Sequence, residues 1–167
     1  MITMGIDPGY ERLGLAVIET GAGKKDELLY STCLITSPTK PFPERLKTLA
    51  DEVEKTLAKY QPDTLAIEEL FFSGNQKTAM KVSEVRGIII YLAVRAKIKI
   101  INLTPLQVKM SITGFGRASK TQVETMIGKL IRIPAGKHYD DEYDAIAIAL
   151  AGAVHSHHEL IHTHAGQ

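Results

Sequence analysis

Carboxylates close two patterned stretches of this chain and open a third, and together they suit metal-assisted chemistry on a phosphate ester. Asp7 ends the first stretch, in which Ile2, Met4 and Ile6 alternate with Thr3, Gly5 and Asp7. That is the period of a strand. Pro8 cannot donate to a ladder and Gly9 tolerates a tight turn, so the strand stops with Asp7 at its tip. Thr64-Leu-Ala-Ile-Glu-Glu69 ends in the same way. Ala66 and Glu68 share one face, as Gly5 and Asp7 do, while Glu69 points to the other. The third stretch, Asp140-Asp-Glu-Tyr-Asp144, opens a run of small apolar residues from Ala145 to Ala151. Asp141 and Asp144 are three apart and share a helix face; Asp140 and Asp144, four apart, can also pair. Acids in a first helical turn complement the helix dipole, and Asp140 and Glu142 are read in that way. Asp144 lies deeper, where the helix packs on a sheet.

Carboxylates gathered without partners repel one another, and burial raises their pKa values. Divalent cations relieve both effects. All-oxygen donors favour Mg²⁺ or Mn²⁺ over zinc. Two such ions can clamp the attacking and leaving oxygens of a phosphodiester.

The elements that must position these acids follow from pattern and punctuation. Strands are expected over Ile2 to Asp7, Leu13 to Thr20 and Leu28 to Thr36, joined by short turns as an antiparallel meander. A helix from Pro43 to Tyr60 carries the apolar stripe Leu46, Leu49, Val53 and Leu57. A fourth strand, from Thr64, is reached through that helix and is therefore a parallel crossover. A long helix (Gln76 to Ala96) and a fifth strand (Ile98 to Thr104) follow. Thr104-Pro105 caps a short helix and Ser119 caps another. The last helix is expected from Asp140 to Val154. The fold class is α/β: a five-stranded mixed sheet, meander plus parallel strands, with helices on both faces. In it, the first and fourth strands are parallel neighbours and present Asp7 and Glu68 side by side.

A length of 167 residues suits one domain with a sizeable core. Residues 1–156 are assigned to it, and 157–167 to a His-rich tail expected to be disordered. The net charge of +1 does not by itself point to nucleic acid, so positive charge for DNA must be local and offset elsewhere. Cys33 is the only cysteine, which excludes an intrachain disulfide and a cysteine metal cluster. The N-terminus shows no secretory signal and the longest apolar run is too short to span a membrane. A reducing cytoplasm is the expected location, with no membrane partner.

Five blocks in order then resemble a known family: Met4 to Ala16, Ala66 to Phe72, Lys81 to Gly87, Gln107 to Gly114 with Lys120 to Val123, and Asp141 to Ala149. Together they are similar to the bacterial RuvC-type Holliday junction resolvases over nearly the whole chain. The resemblance implies a ribonuclease H-like fold and a homodimer. It implies Mg²⁺-dependent cleavage of four-way DNA junctions by two symmetric nicks, with two ions per subunit and Mn²⁺ able to substitute. A branch-migration motor complex is the implied partner, in recombination and repair. The family's catalytic and metal-binding acids fall on Asp7, Glu68, Asp141 and Asp144. Lys109 and Lys120 match its lysines near the scissile phosphate, and Phe71 matches its base-stacking phenylalanine.

Other groups extend this picture. Phe72 is a second stacking candidate beside Glu68. Lys77, Lys81 and Arg86, at helical spacing, and Arg117, in a glycine loop, are candidate contacts to DNA backbone. The long helix carries Ile88, Ile89, Ile90, Leu92 and Val94 and is too apolar for one wet face. One buried side is expected against the sheet and another against a partner subunit. The alternatives are a ribonuclease H-like nuclease for another substrate, such as an RNA–DNA hybrid or flap, and a non-catalytic junction-binding protein. An ATP-handling domain with a similar opening strand would need a duplicated second domain, for which the chain has no room.

Overall fold

The computed structural model describes residues 1–21, 23, 25–70, 76–136 and 138–164, with side chains described as far as 157. The chain order is β1 (Ile2–Asp7), β2 (Arg12–Glu19), β3 (Glu27–Ile35), α1 (Phe42–Tyr60), β4 (Thr64–Glu68), α2 (Gln76–Arg95), β5 (Lys99–Leu103), α3 (Pro105–Thr113), α4 (Lys120–Leu130) and α5 (Asp140–His164). The sheet runs β3-β2-β1-β4-β5. β1 pairs antiparallel with β2 and parallel with β4, as the meander and the crossover require. The expected five-stranded mixed sheet is the one observed.

Alternation along the central strands divides the core in two. Met4, Ile6, Leu15, Val17, Leu65 and Ile67 face α1 and α2, where Leu49, Val53, Val85 and Ile89 meet them. Ala16, Ile18, Ala66, Ile101 and Leu103 face α3, α4 and α5. Small residues dominate where α5 crosses the sheet, and the approach is correspondingly close. A Cβ placed on Gly5 would lie 2.3 Å from the Ala145 carbonyl oxygen, and one on Gly14 would lie 1.9 Å from that of Asp141. These are backbone contacts that no rotamer can relieve, so glycine at both positions sets the depth of α5.

The helix starts agree with their caps. Thr104 and Ser119 each accept from a backbone N–H three residues on, and Gln107 and Gln122 complete capping boxes. The end of α5 differs from the sequence expectation. The helix continues past Val154 to His164, because no glycine or proline interrupts the chain between Val154 and Ala165. No helix among the described residues is long and apolar enough to cross a membrane.

Candidate active site

The register of β1 on β4 pairs Gly5 with Ala66 and Ile6 with Ile67. Asp7 and Glu68 are therefore the next pair along, at the strand ends, on the face that α5 covers. Asp7 and Glu68 meet Asp144 of α5 across a cleft of about 230 Å³, together with Lys109 of α3 and Lys120 of α4. Five charged residues from five elements converge there. Glu69 is outside the cleft lining; its backbone N–H donates to the Leu103 carbonyl.

The charge balance inside the cleft is uneven. Burial pushes the Asp7 carboxyl up to about 7; Asp144, Glu68 and Asp141 add to the rise, and Lys120 opposes it. Glu68 is also raised, first by burial and then by Asp144, with Lys109 opposing. Lys120 Nζ lies 3.0 Å from Asp144 and 3.4 Å from Asp140. It acts as an internal counterion at the cleft edge.

Asp141 lies to one side of the cleft. Its carboxylate is 3.7 Å from Arg12 and accepts from the Cys33 thiol at 3.9 Å. It is near enough to Asp7 to raise its pKa. Asp140 is the most exposed acid of the run, with 78% of its side chain accessible, as a first-turn acid should be. Glu142 stands in the first turn of α5, as read from the sequence, and makes further contacts there. It is buried, accepts from Ser31 of β3, and pairs with His138 at 2.9 Å. The i,i+4 spacing of His138 and Glu142 was the available signal; Ser31 had none, because only the fold brings β3 to α5.

The remaining candidates lie at varied distances from this chemistry. Arg86 donates from Nε to the Glu68 carbonyl at 3.2 Å and also bonds Asn102, so its guanidinium braces the end of β4. Lys81 Nζ stands 4.9 Å from the centroid of the Tyr10 ring. Lys77 is exposed in the first turn of α2, on the sheet face opposite α5, and Arg117 is exposed in the loop before α4. Phe71 and Phe72 lie outside the described residues. Arg45, which the sequence reading did not single out, is buried. It donates to Thr36 Oγ1 at 2.8 Å and to the Tyr10 carbonyl at 3.2 Å. It thus holds the turn that follows Asp7.

The donor set fits a hard divalent cation. Asp7, Glu68 and Asp144 offer carboxylate oxygens only, and Asp7 is desolvated among like charges that a cation would neutralise. Among the described residues no three acid, imidazole or thiol side chains stand close enough together to hold an ion as they are placed. Hard divalent cations of this class bind through a few carboxylates together with water and substrate phosphate.

A mixed sheet of this order, with acids at two parallel strand ends and on the helix crossing them, is the ribonuclease H-like architecture. The match goes further than the fold. The chain belongs to the family of crossover junction endodeoxyribonuclease RuvC, whose family model matches residues 3–152. It is 42% identical over 150 residues to the crossover junction endodeoxyribonuclease RuvC of Ruminiclostridium cellulolyticum, covering 90% of each chain. It is 37% identical over 158 residues to that of Pelotomaculum thermopropionicum, covering 95% of this chain and 94% of the relative. Thermus thermophilus RuvC, solved in complex with a Holliday junction substrate, superposes with a TM-score of 0.87 at 32% identity, covering 93% of this chain and 94% of that one. The yeast mitochondrial Holliday junction resolvase shares the fold, with a TM-score of 0.67 at 15% identity.

Proposed function

We propose that this chain is a structure-selective endonuclease that resolves four-way DNA junctions by paired symmetric nicks. The observation that carries the reading is the convergence of Asp7, Glu68 and Asp144 with Lys109 and Lys120 on one cleft, in a member of this family. The Thermus thermophilus relative was solved with junction DNA, which supports the same substrate here.

Asp7, Glu68 and Asp144 would hold Mg²⁺, or Mn²⁺ in its place, and Asp141 would join them by leaving its contacts with Arg12 and Cys33. When bound, the ions supply Lewis acidity toward the phosphodiester and the attacking water. The chain's own residues do the rest. Lys109 and Lys120 offset the negative charge that develops at the phosphate. Arg86 and the Arg45–Thr36–Tyr10 contacts hold the strand end bearing Glu68 and the turn after Asp7. Residues 1–156 act as one nuclease domain, with the His-rich residues 157–167 outside the chemistry. The chain works as a homodimer, cooperating with a branch-migration motor in recombination and repair in the cytoplasm. A two-fold dimer suits a two-fold substrate. Met80, Tyr91 and Val94, exposed along one face of α2, support a self-interface there.

The test is direct. The purified protein is incubated with Mg²⁺ and a synthetic four-way junction, beside duplex, RNA–DNA hybrid and single-stranded controls. Paired symmetric nicks confined to the junction are expected. Asp7→Asn should abolish cleavage while leaving junction binding largely intact. Preferential cleavage of the hybrid would overturn the substrate assignment, and full-rate cutting by Asp7→Asn would overturn the site.

A further inference from the structure

The segment from α3 to α4 combines two features, of which the nuclease site uses only Lys109 and Lys120. The first is charge. Between Pro105 and Leu130 stand Lys109, Arg117, Lys120 and Lys129 against one acid, Glu124. That segment is therefore +3 (4 − 1) in a chain of net charge +1. The second is exposed apolar surface. Leu106, Met110 and Phe115 are 59%, 48% and 57% accessible.

Their placement is set by helix phase. Pro105 and Lys109 line the catalytic cleft, so Leu106 and Met110, each one residue on, occupy the adjoining strip of α3. The loop after α3 then runs back over that strip. A Cβ on Gly116 would lie 3.1 Å from Leu106 Cγ and 3.3 Å from Met110 Cγ. Phe115 is carried by the same loop, between Gly114 and Gly116 and two residues before Arg117. Apolar side chains bordered by cations, continuous with a phosphate-cleaving cleft, suit a nucleic acid strand. Cations take its phosphates, and aromatic or aliphatic faces take bases and sugars.

We propose that Leu106, Met110 and Phe115 form an apolar ridge that packs against unstacked bases and deoxyribose faces of the DNA strand entering the cleft. The ridge rests on the reading of the chain as a junction nuclease, and extends it to residues outside the acid and lysine set. It holds the strand by apolar contact while the surrounding cations hold its phosphates.

The chain contains no tryptophan, so Phe115→Trp introduces a single reporter at an exposed position. Titration with a four-way junction in EDTA should quench its fluorescence as bases stack on the ring. In anisotropy measurements under the same conditions, Phe115→Ala and the double variant Leu106→Ser/Met110→Ser should each lose about five- to tenfold in junction affinity. The slope of log affinity against log salt should stay unchanged for both, because no phosphate contact is removed. Arg117→Ala, by contrast, should lower that slope by about 1. Wild-type binding combined with unchanged affinity in the apolar variants, or with no quench, overturns the ridge alone. Failure of the wild-type chain itself to bind the junction overturns the nuclease reading and the ridge with it. A change of oligomeric state in the double variant, read by light scattering, assigns the surface to a second copy and overturns the DNA contact.

Discussion

At Asp7, burial and three neighbouring carboxylates act in the same direction, and Lys120 opposes them. The consequence for stability has a definite sign. The carboxyl titrates near its ordinary value of 3.8 when unfolded and at about 7 when folded. The folded state therefore binds more protons between those values. The stability linked to this group is fully present below about pH 4 and is lost as pH rises through 7. Asp7→Asn removes the titration. In EDTA at pH 8 it should be more stable than wild type by roughly 2–4 kcal/mol, a gain that vanishes near pH 4. Urea denaturation across that range checks this; parallel curves for the two proteins would show that Asp7 carries no such burden. At the other side of the balance, Lys120→Ala should slow junction cleavage by about 10²-fold. Single-turnover rates on pre-bound junction measure it, and a rate within twofold of wild type would remove Lys120 from the chemistry.

At the scale of elements, the site depends on how deeply α5 lies on the sheet. Gly14 stands under the Asp141 carbonyl, with 1.9 Å between that oxygen and an added Cβ. Gly14→Ala must lift the start of α5, and should cost at least about 1–3 kcal/mol. A melting temperature equal to wild type would mean that the contact yields freely. The Ser31–Glu142–His138 cluster fixes the same helix end from β3 and from the preceding loop. Glu142→Ala leaves Ser31 and His138 without this partner and should cost about 1–3 kcal/mol, read from chemical denaturation. The placement of α5 in this convergence is thus built from two kinds of support. Backbone proximity sets depth, and side-chain hydrogen bonds set rotation.

At the scale of the whole molecule, α2 has two apolar aspects. Val85, Ile89, Leu92 and Ala93 are buried against the sheet and α1, whereas Met80, Tyr91 and Val94 face outward. The outward residues are spaced to share one helix face. Tyr91→Glu should convert the proposed dimer to monomer in light scattering and turn paired nicks into single ones. Persistence of a dimer would move the self-interface elsewhere.

Much of this was legible from the chain alone, for reasons that differ by element. The strand phase of Gly5 with Asp7 and of Ala66 with Glu68 put both acids on one face, because alternation is a local property of extended backbone. The three-residue spacing of Asp141 and Asp144 was equally local, and Thr104 and Ser119 marked their helices through their own hydrogen bonds. The parallel direction of β1 and β4 followed from the meander and the helical crossover that joins β3 to β4. Contacts between segments distant in sequence could not be read in that way. Glu142 reads as an ordinary first-turn acid until β3 brings Ser31 to it. Arg86 reads as a surface cation on a helix until its guanidinium meets the end of β4. Asp141 shares a face with Asp144, yet tertiary packing aims it at Arg12 and Cys33 rather than into the cleft lining. Local pattern determined which acids could act and on which face. Only the packing of α5 on the sheet decided how far each is desolvated, which cation offsets it, and therefore how the cleft is charged.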